Sequence, residues 1–353
     1  MPGLTTGRRG ASGRTGATGG RGATPKGGVS RRLLLLAALV PVVALLSLAI
    51  GSNASSPAEV WHALTSASGQ EADTIVRTLR FPRTVLGLLV GACLGAAGVL
   101  MQGHTRNPLA EPGLLGVSAG AAFCVVLGLR LRLVETLEQS VYAAIVGALV
   151  ASLAVYAMAR SSLHEGGARL VVAGAATTAF LAALTSGIVL LDAQSLDAYR
   201  FWAVGSLSGR DPDTGLVILP FAMGGLLIAL VNARSLDLLA LGDDVSTAMG
   251  LSVTRSRLAG LAAVALLTAA GVAACGPIAF VGLLAGQLAR AVTGARWMPA
   301  LVAGSLVGAL VLVSADVAGR VVAGQGELQV GVVAGVLGAP VLIWVVRRRG
   351  LAL

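Results

Sequence analysis

Lysine is nearly missing from this chain. Lys26 is the only lysine among 26 basic residues, and the rest are arginines. A phosphate-cradling loop of the G-x-x-x-x-G-K-[ST] kind needs a lysine beside its glycines. None stands there, so the chain cannot build an ordinary ATP-hydrolysing site of its own. Aromatic residues are also scarce, at 4%. No basic stripe interleaves with them, which excludes a stacking platform for nucleic acid. Charged residues reach only 12%, about half the usual share. Cys93, Cys124 and Cys275 each fall inside an apolar run, with no C-x-x-C pair. They read as small apolar helix residues, not as a disulfide framework or metal site. His62, His104 and His164 fall on three separate loops by the same pattern. No nucleophile–base pair stands out, so no catalytic residue, cofactor or metal ligand is expected.

Apolar residues are what the chain has instead. They make up 56% of 353 residues, and the mean hydropathy is +0.85. A membrane span needs about 20 residues. Apolar runs occur at 33–51, 82–102, 113–129, 139–159, 168–191, 215–232, 256–275, 278–291, 300–318 and 329–346. The run at 278–291 is short and abuts the Gly276-Pro277 break. The reading is an all-α polytopic membrane protein with ten transmembrane helices over 33–346. Residues 1–32 carry seven basic residues and no acid, and read as a disordered basic tail. Residues 347–353 form a second short basic end.

Orientation follows from where the arginines fall. With both ends in the cytoplasm and ten crossings, 18 of the 26 basic residues lie inside, but only 5 of the 16 acids. Dropping the eighth run would put Arg347, Arg348 and Arg349 outside. Ser30-Arg31-Arg32-Leu33 also resembles a twin-arginine export signal; nine further apolar runs favour a plain basic flank. Small residues four apart, such as Gly87, Gly91 and Gly95, Gly304 and Gly308, and Gly331 and Gly335, predict close helix packing in lipid.

Ionisable groups at membrane depth mark pumps and ion-coupled carriers. Here the nearest case is Asp316, four residues before Arg320 near a helix end. Energy for transport must come from elsewhere. Two segments could receive partners. Between the sixth and seventh runs, Ser235 to Gly242 and Asp243 to Gly250 each start at a capping residue and stop at Gly. They predict two short helices forming a cytoplasmic knuckle, with Asp244 as a cap and Leu241, Val245, Ala248 and Met249 as its apolar face. On the other side, Arg77, Arg80 and Arg83 precede the second run and Arg320 follows the ninth. A solvated ring of positive charge there would suit a fixed acidic partner.

At these residues the chain resembles the FecCD-type permeases of type II ABC importers, which serve ferric-siderophore, cobalamin and haem uptake. The stretch Arg106-Asn107-Pro108-Leu109-Ala110-Glu111-Pro112-Gly113-Leu114-Leu115-Gly116-Val117-Ser118-Ala119-Gly120 is long and specific. Arg80-Phe81-Pro82-Arg83, Phe201 to Leu207, the 240–251 knuckle, Gly276-Pro277 through Gly282, Asp316 with Arg320, and Glu327-Leu328-Gln329-Val330-Gly331 also match. The resemblance covers about residues 60–349. It implies a multi-pass bacterial plasma-membrane subunit that pairs with a second permease subunit, two cytoplasmic ATPases and an extracytoplasmic binding lipoprotein. It implies ATPase coupling at Leu241, Gly242, Asp243, Asp244, Val245, Ala248, Met249 and Gly250, and docking of the binding protein on Arg80, Arg83 and Arg320. An iron chelate is the expected cargo, with cobalamin or haem second. An ion-coupled secondary transporter with inverted repeats, or an interaction protein that transports nothing, are the other classes. Two departures stand out: Gly286-Gln287 where the family usually carries Pro-His, and Gln329 where it usually carries Pro.

Overall fold

A computed structural model describes residues 26–51, 56–65, 71–159, 168–323 and 326–349. Every regular element among them is helical. In chain order these are α1 (Lys26–Ala49), α2 (Pro57–Thr65), α3 (Glu71–Thr74), a π-helical turn (Ile75–Arg80) running into α4 (Phe81–Thr105), a 3-10 turn (Pro112–Leu115), α5 (Val117–Arg130), α6 (Leu137–Ala159), α7 (Ala168–Leu191), α8 (Ala193–Ala203), α9 (Thr214–Leu239), α10 (Asp243–Ala248), α11 (Val253–Cys275), α12 (Val281–Thr293), α13 (Trp297–Val322) and α14 (Val330–Arg349).

Each of the ten apolar runs falls on a helix. Among the described residues, seven helical segments are long and apolar enough to cross a membrane, and three apolar helices are shorter: Val117–Arg130, Val281–Thr293 and Val330–Ile343. Of the residues read as a basic tail over 1–32, Lys26 to Arg32 belong to α1, and residues 1–25 lie outside the described residues. Helix α8 belongs to no run. Its N-cap is Asp192, whose carboxylate accepts the Ser195 N–H at 2.9 Å, a capping signal outside any hydrophobic period.

Helices α4, α11 and α13 form the centre, while α1, α7 and α9 leave most of their surface open. Antiparallel α4 and α13 approach closest at Gly91 and Gly95 against Gly308 and Gly304. A Cβ on Gly95 would run into the Gly304 carbonyl, so only glycine lets the two backbones meet. In lipid, such packing supplies the attraction that hydrophobicity cannot. Gly120 meets Gly147 of α6 in the same way, whereas Gly335 faces open space.

The two shortest apolar helices have a common cause. Helix α12 has 13 residues, about 20 Å of rise against a hydrocarbon core of about 30 Å. Its first turn begins inside the bundle, where Gly282 packs on the Leu94 carbonyl and the Pro112 ring. Helix α5 likewise starts inside, at Gly116 with φ 70°. The non-helical stretches 106–111 and 276–280 therefore enter the bundle from opposite ends and meet. Irregular backbone at such depth survives only where protein covers it.

Candidate functional site

The meeting point is built by the 106–116 motif. Pro108 and Pro112 forbid a continuous helix, and the Asn107 side chain accepts the Leu109 N–H at 2.9 Å, closing an Asx turn. The Glu111 carboxylate accepts the Phe280 N–H at 2.6 Å. Phe280 is the N-cap of α12 and sits at φ 68°, so Glu111 takes the N–H of the N-cap residue itself and lies at the positive end of the helix. Leu109 is partly buried and Gly113 has open space beside it. Gly276 (φ 78°) and Pro277 turn the chain inward.

The two departures from the family pattern lie on this joint and beside it. The Gln287 amide donates to the Pro108 carbonyl. Gln102 donates to the Leu283 carbonyl at 3.2 Å, and a Cβ at Gly286 would stand 2.6 Å from the Gln102 amide. Glycine at 286 thus makes room for Gln102, and Gln287 stitches α12 to the motif loop. Gln329 lines a cavity of about 580 Å³ at the Arg83 end of the bundle, beside Trp202, Ser206, Arg210 and Asp211.

At the other end of α4 lies the knuckle. Ser235 to Leu239 do not form a separate short helix; they are the last turns of α9. Only α10 is distinct. Helix α9 keeps going because nothing between 235 and 239 breaks it, and the chain turns only at Gly242, with φ 108°. Gly242, not Asp244, is the N-cap, and no side chain caps the helix. Asp243 is the anchored acid. Its carboxylate takes Arg106 at 2.7 Å and Arg257 at 2.8 Å, and Arg106 also donates to the Leu239 carbonyl at 2.7 Å. Arg106 manages this from a left-handed conformation, φ 51°, uncommon for a non-glycine residue. Ser246 is buried and bonds the Leu238 and Gly242 carbonyls. The outer face of α10 is bare: Leu241 is 60% and Met249 59% exposed, and Asp244, Val245, Ala248 and Gly250 are exposed with them.

One turn deeper, His104 shares a hydrogen bond of 2.9 Å with the Asn232 side chain, and Asn232 donates to the Ser256 carbonyl at 2.7 Å. This ties α4, α9 and α11 together behind the knuckle. His104 is therefore not a loop residue. His62 is on α2, 3.6 Å from Asp73, and His164 lies outside the described residues.

The opposite end gathers Arg80, Arg83 and Arg320, but not as a solvated ring. Arg80 and Arg320 are each only 6% exposed. Arg80 donates to the Leu48 carbonyl at 2.8 Å. Arg320 donates to the Ser47 and Ile50 carbonyls at 3.0 and 2.7 Å and to the Ser47 hydroxyl at 2.8 Å. The last carbonyls of α1 have no helical partners and carry the negative end of its dipole, and these two arginines satisfy them. Arg83 grips Asp316 at 2.7 Å and Glu327 at 2.9 Å. Asp316 also meets Arg320 at 3.2 Å, the i,i+4 pair read from sequence. Burial opposes ionisation of Glu327, but hydrogen bonds from Ser208 and Arg83 and the charge of Arg83 outweigh it and hold the carboxyl below its ordinary value.

The profile of the FecCD transport family matches residues 39–348. The chain belongs to this family. It is 45% identical over 317 residues to the ferric enterobactin transport system permease protein of Escherichia coli, covering 88% of this chain and 93% of that one. It is 35% identical to the hemin transport system permease protein of Yersinia pestis, covering 92% and 98%. A solved structure described as an inward-facing conformation of a metal-chelate type ABC transporter aligns at TM-score 0.77 and 25% identity, over 90% of this chain and 99% of that one. The chain is thus an ABC importer permease of the FecCD family and an integral membrane protein. Membership sets aside the ion-coupled carrier. Sequence reading missed Glu111, Asp237, Arg257 and the His104 cluster. The one signal for Glu111 was an acid between two prolines of the motif.

Proposed function

We propose that this permease carries a ferric siderophore, delivered by an extracytoplasmic binding protein and driven by two ATPase subunits on separate chains, with a second permease subunit completing the path. All ten apolar helices cross the membrane in this reading, with α5 and α12 as broken spans and both termini in the cytoplasm. The iron-chelate assignment is supported by the 45% identity to an enterobactin permease, against 35% to the haem relative. Haem or cobalamin is the second reading, because the haem relative matches over 98% of its length and a cobalamin relative, also 35% identical, over 80%.

One observation carries the coupling: α10 presents Leu241, Val245 and Met249 outward while Asp243 and Ser246 lock its inner side. An exposed apolar face on a rigid mount suits a protein partner, and the ATPase docks there. Asp244, Ala248 and Gly250 border it. The binding protein docks on the opposite end, where Arg80, Arg83 and Arg320 shape the surface from beneath. The test is ATP turnover by the purified permease alone, compared with the permease plus its ATPase. No turnover by the lone chain, and turnover once the ATPase is added, supports the reading. Turnover by the lone chain refutes it.

A further inference from the structure

A second charged corner lies at the α10 end of the bundle, away from the knuckle. Arg31 and Arg32 stand exposed in the early turns of α1. The Arg32 guanidinium donates to the Val292 carbonyl at the end of α12, at 3.0 Å. Two residues earlier on α12, Arg290 lies 4.3 Å above the Trp297 ring, a cation–π contact that fixes its plane. Arg296 is exposed at the N-cap of α13. Four arginines from α1, α12 and α13 therefore share this corner. Asp237, in the last turns of α9, accepts the Trp297 N–H at 3.0 Å.

What continues from the arginines is as informative as the charge. Along α1, Leu35, Leu39, Val42 and Leu46 follow Arg31 at helical spacing, and all four are exposed. An exposed apolar stripe thus runs along α1 from the turn after Arg31. A free anion would use the arginines and leave the stripe bare. A soluble acidic protein would not meet the stripe at all. One ligand matches both features, an acidic group joined to long acyl chains. Juxtamembrane basic clusters of this kind attract anionic lipid.

We propose that the α1–α12–α13 corner is a binding site for an anionic phospholipid. The phosphate sits among Arg31, Arg32, Arg290 and Arg296, and an acyl chain lies along the α1 stripe. The site is separate from the transport path and does not depend on the cargo.

The experiment titrates the purified full-length chain in mild detergent with phosphatidylglycerol, phosphatidylcholine of the same acyl chains, or inorganic phosphate, and counts bound lipid by native mass spectrometry. Phosphatidylglycerol should bind at least tenfold more tightly than phosphatidylcholine. Arg32→Gln with Arg290→Gln should weaken it roughly 10- to 30-fold, while Arg32→Lys with Arg290→Lys keeps most of it. Arg130→Gln with Arg132→Gln, at the far end of the bundle, should change nothing. Millimolar inorganic phosphate should not compete. Equal binding of the two lipids by the unsubstituted chain overturns the site without recourse to any variant. So does competition by phosphate, which marks a plain anion site, and so does full retention by the glutamine pair.

Discussion

Arg106, at the left-handed end of α4, holds Asp243 at the start of α10 by an ion pair of 2.7 Å. The same carboxylate takes Arg257 from α11. A push on α10 therefore reaches two central helices through one side chain, and α9 follows because Ser246 is bonded to its last turn. Rigid mounts of this kind convert a surface contact into helix movement.

Asp243→Asn removes the charge but keeps the shape. In the assembled transporter it should leave ATP hydrolysis within about twofold and cut uptake at least tenfold. Both are read on the same reconstituted sample. Parallel loss of the two, or normal uptake, would count against a transmitting role.

Met249→Asp puts a charge into the bare face of α10. Burying an unpaired charge against a partner costs several kcal/mol, so the ATPase should no longer co-purify. Because Met249 is exposed in the lone chain, the amount of permease in the membrane should not change. Immunoblotting and pull-down measure the two quantities separately.

At the other end, Asp316 is buried between Arg83 and Arg320, and its loss leaves two cations without their shared carboxylate. Asp316→Ala should cost about 3–5 kcal/mol, seen as a fall in the thermal midpoint in detergent. Glu327 is nearly half exposed, so solvent screens its pair and Glu327→Gln should cost less than about 1 kcal/mol. The folded Glu327 pKa lies below the unfolded value. Its contribution is therefore present above the unfolded value and lost as pH falls through the folded one. The gap in thermal midpoint between wild type and Glu327→Gln should stay constant above the unfolded value, narrow below it and close only once the pH has fallen below the folded value. A gap that stays constant throughout would mean that the carboxylate charge contributes nothing.

Much of this was legible in the sequence. Hydrophobic runs located the apolar helices, because lipid leaves a chain few other solutions. Gly242 and Gly250 marked the knuckle, since each supplies a positive φ. The fate of Arg80 and Arg320 was not legible. They look like solvated helix ends until α1 brings its unsatisfied carbonyls beside them, and that proximity spans some 270 residues for Arg320. The His104 site was hidden for the same reason. Its place beside Gly260, where a Cβ would overlap the imidazole, arises only from helix packing. The extra helix at Ser235 was misread because Gly242 ends a long helix as readily as a short one.

Gly95→Val should be among the most damaging single changes. Its Cβ meets backbone, which cannot rotate away. Overpacking of this kind costs about 1–3 kcal/mol or more, and folded permease should fall sharply in size-exclusion profiles. Gly335→Val, with open space around it, should behave as wild type.

The central claim is best tested by uptake into proteoliposomes holding this permease, its ATPase and, outside, its binding protein loaded with a radiolabelled ferric siderophore. The account predicts accumulation that requires ATP on the ATPase side and persists when ion gradients are collapsed. Accumulation without ATP, driven by a proton or sodium gradient, would contradict it.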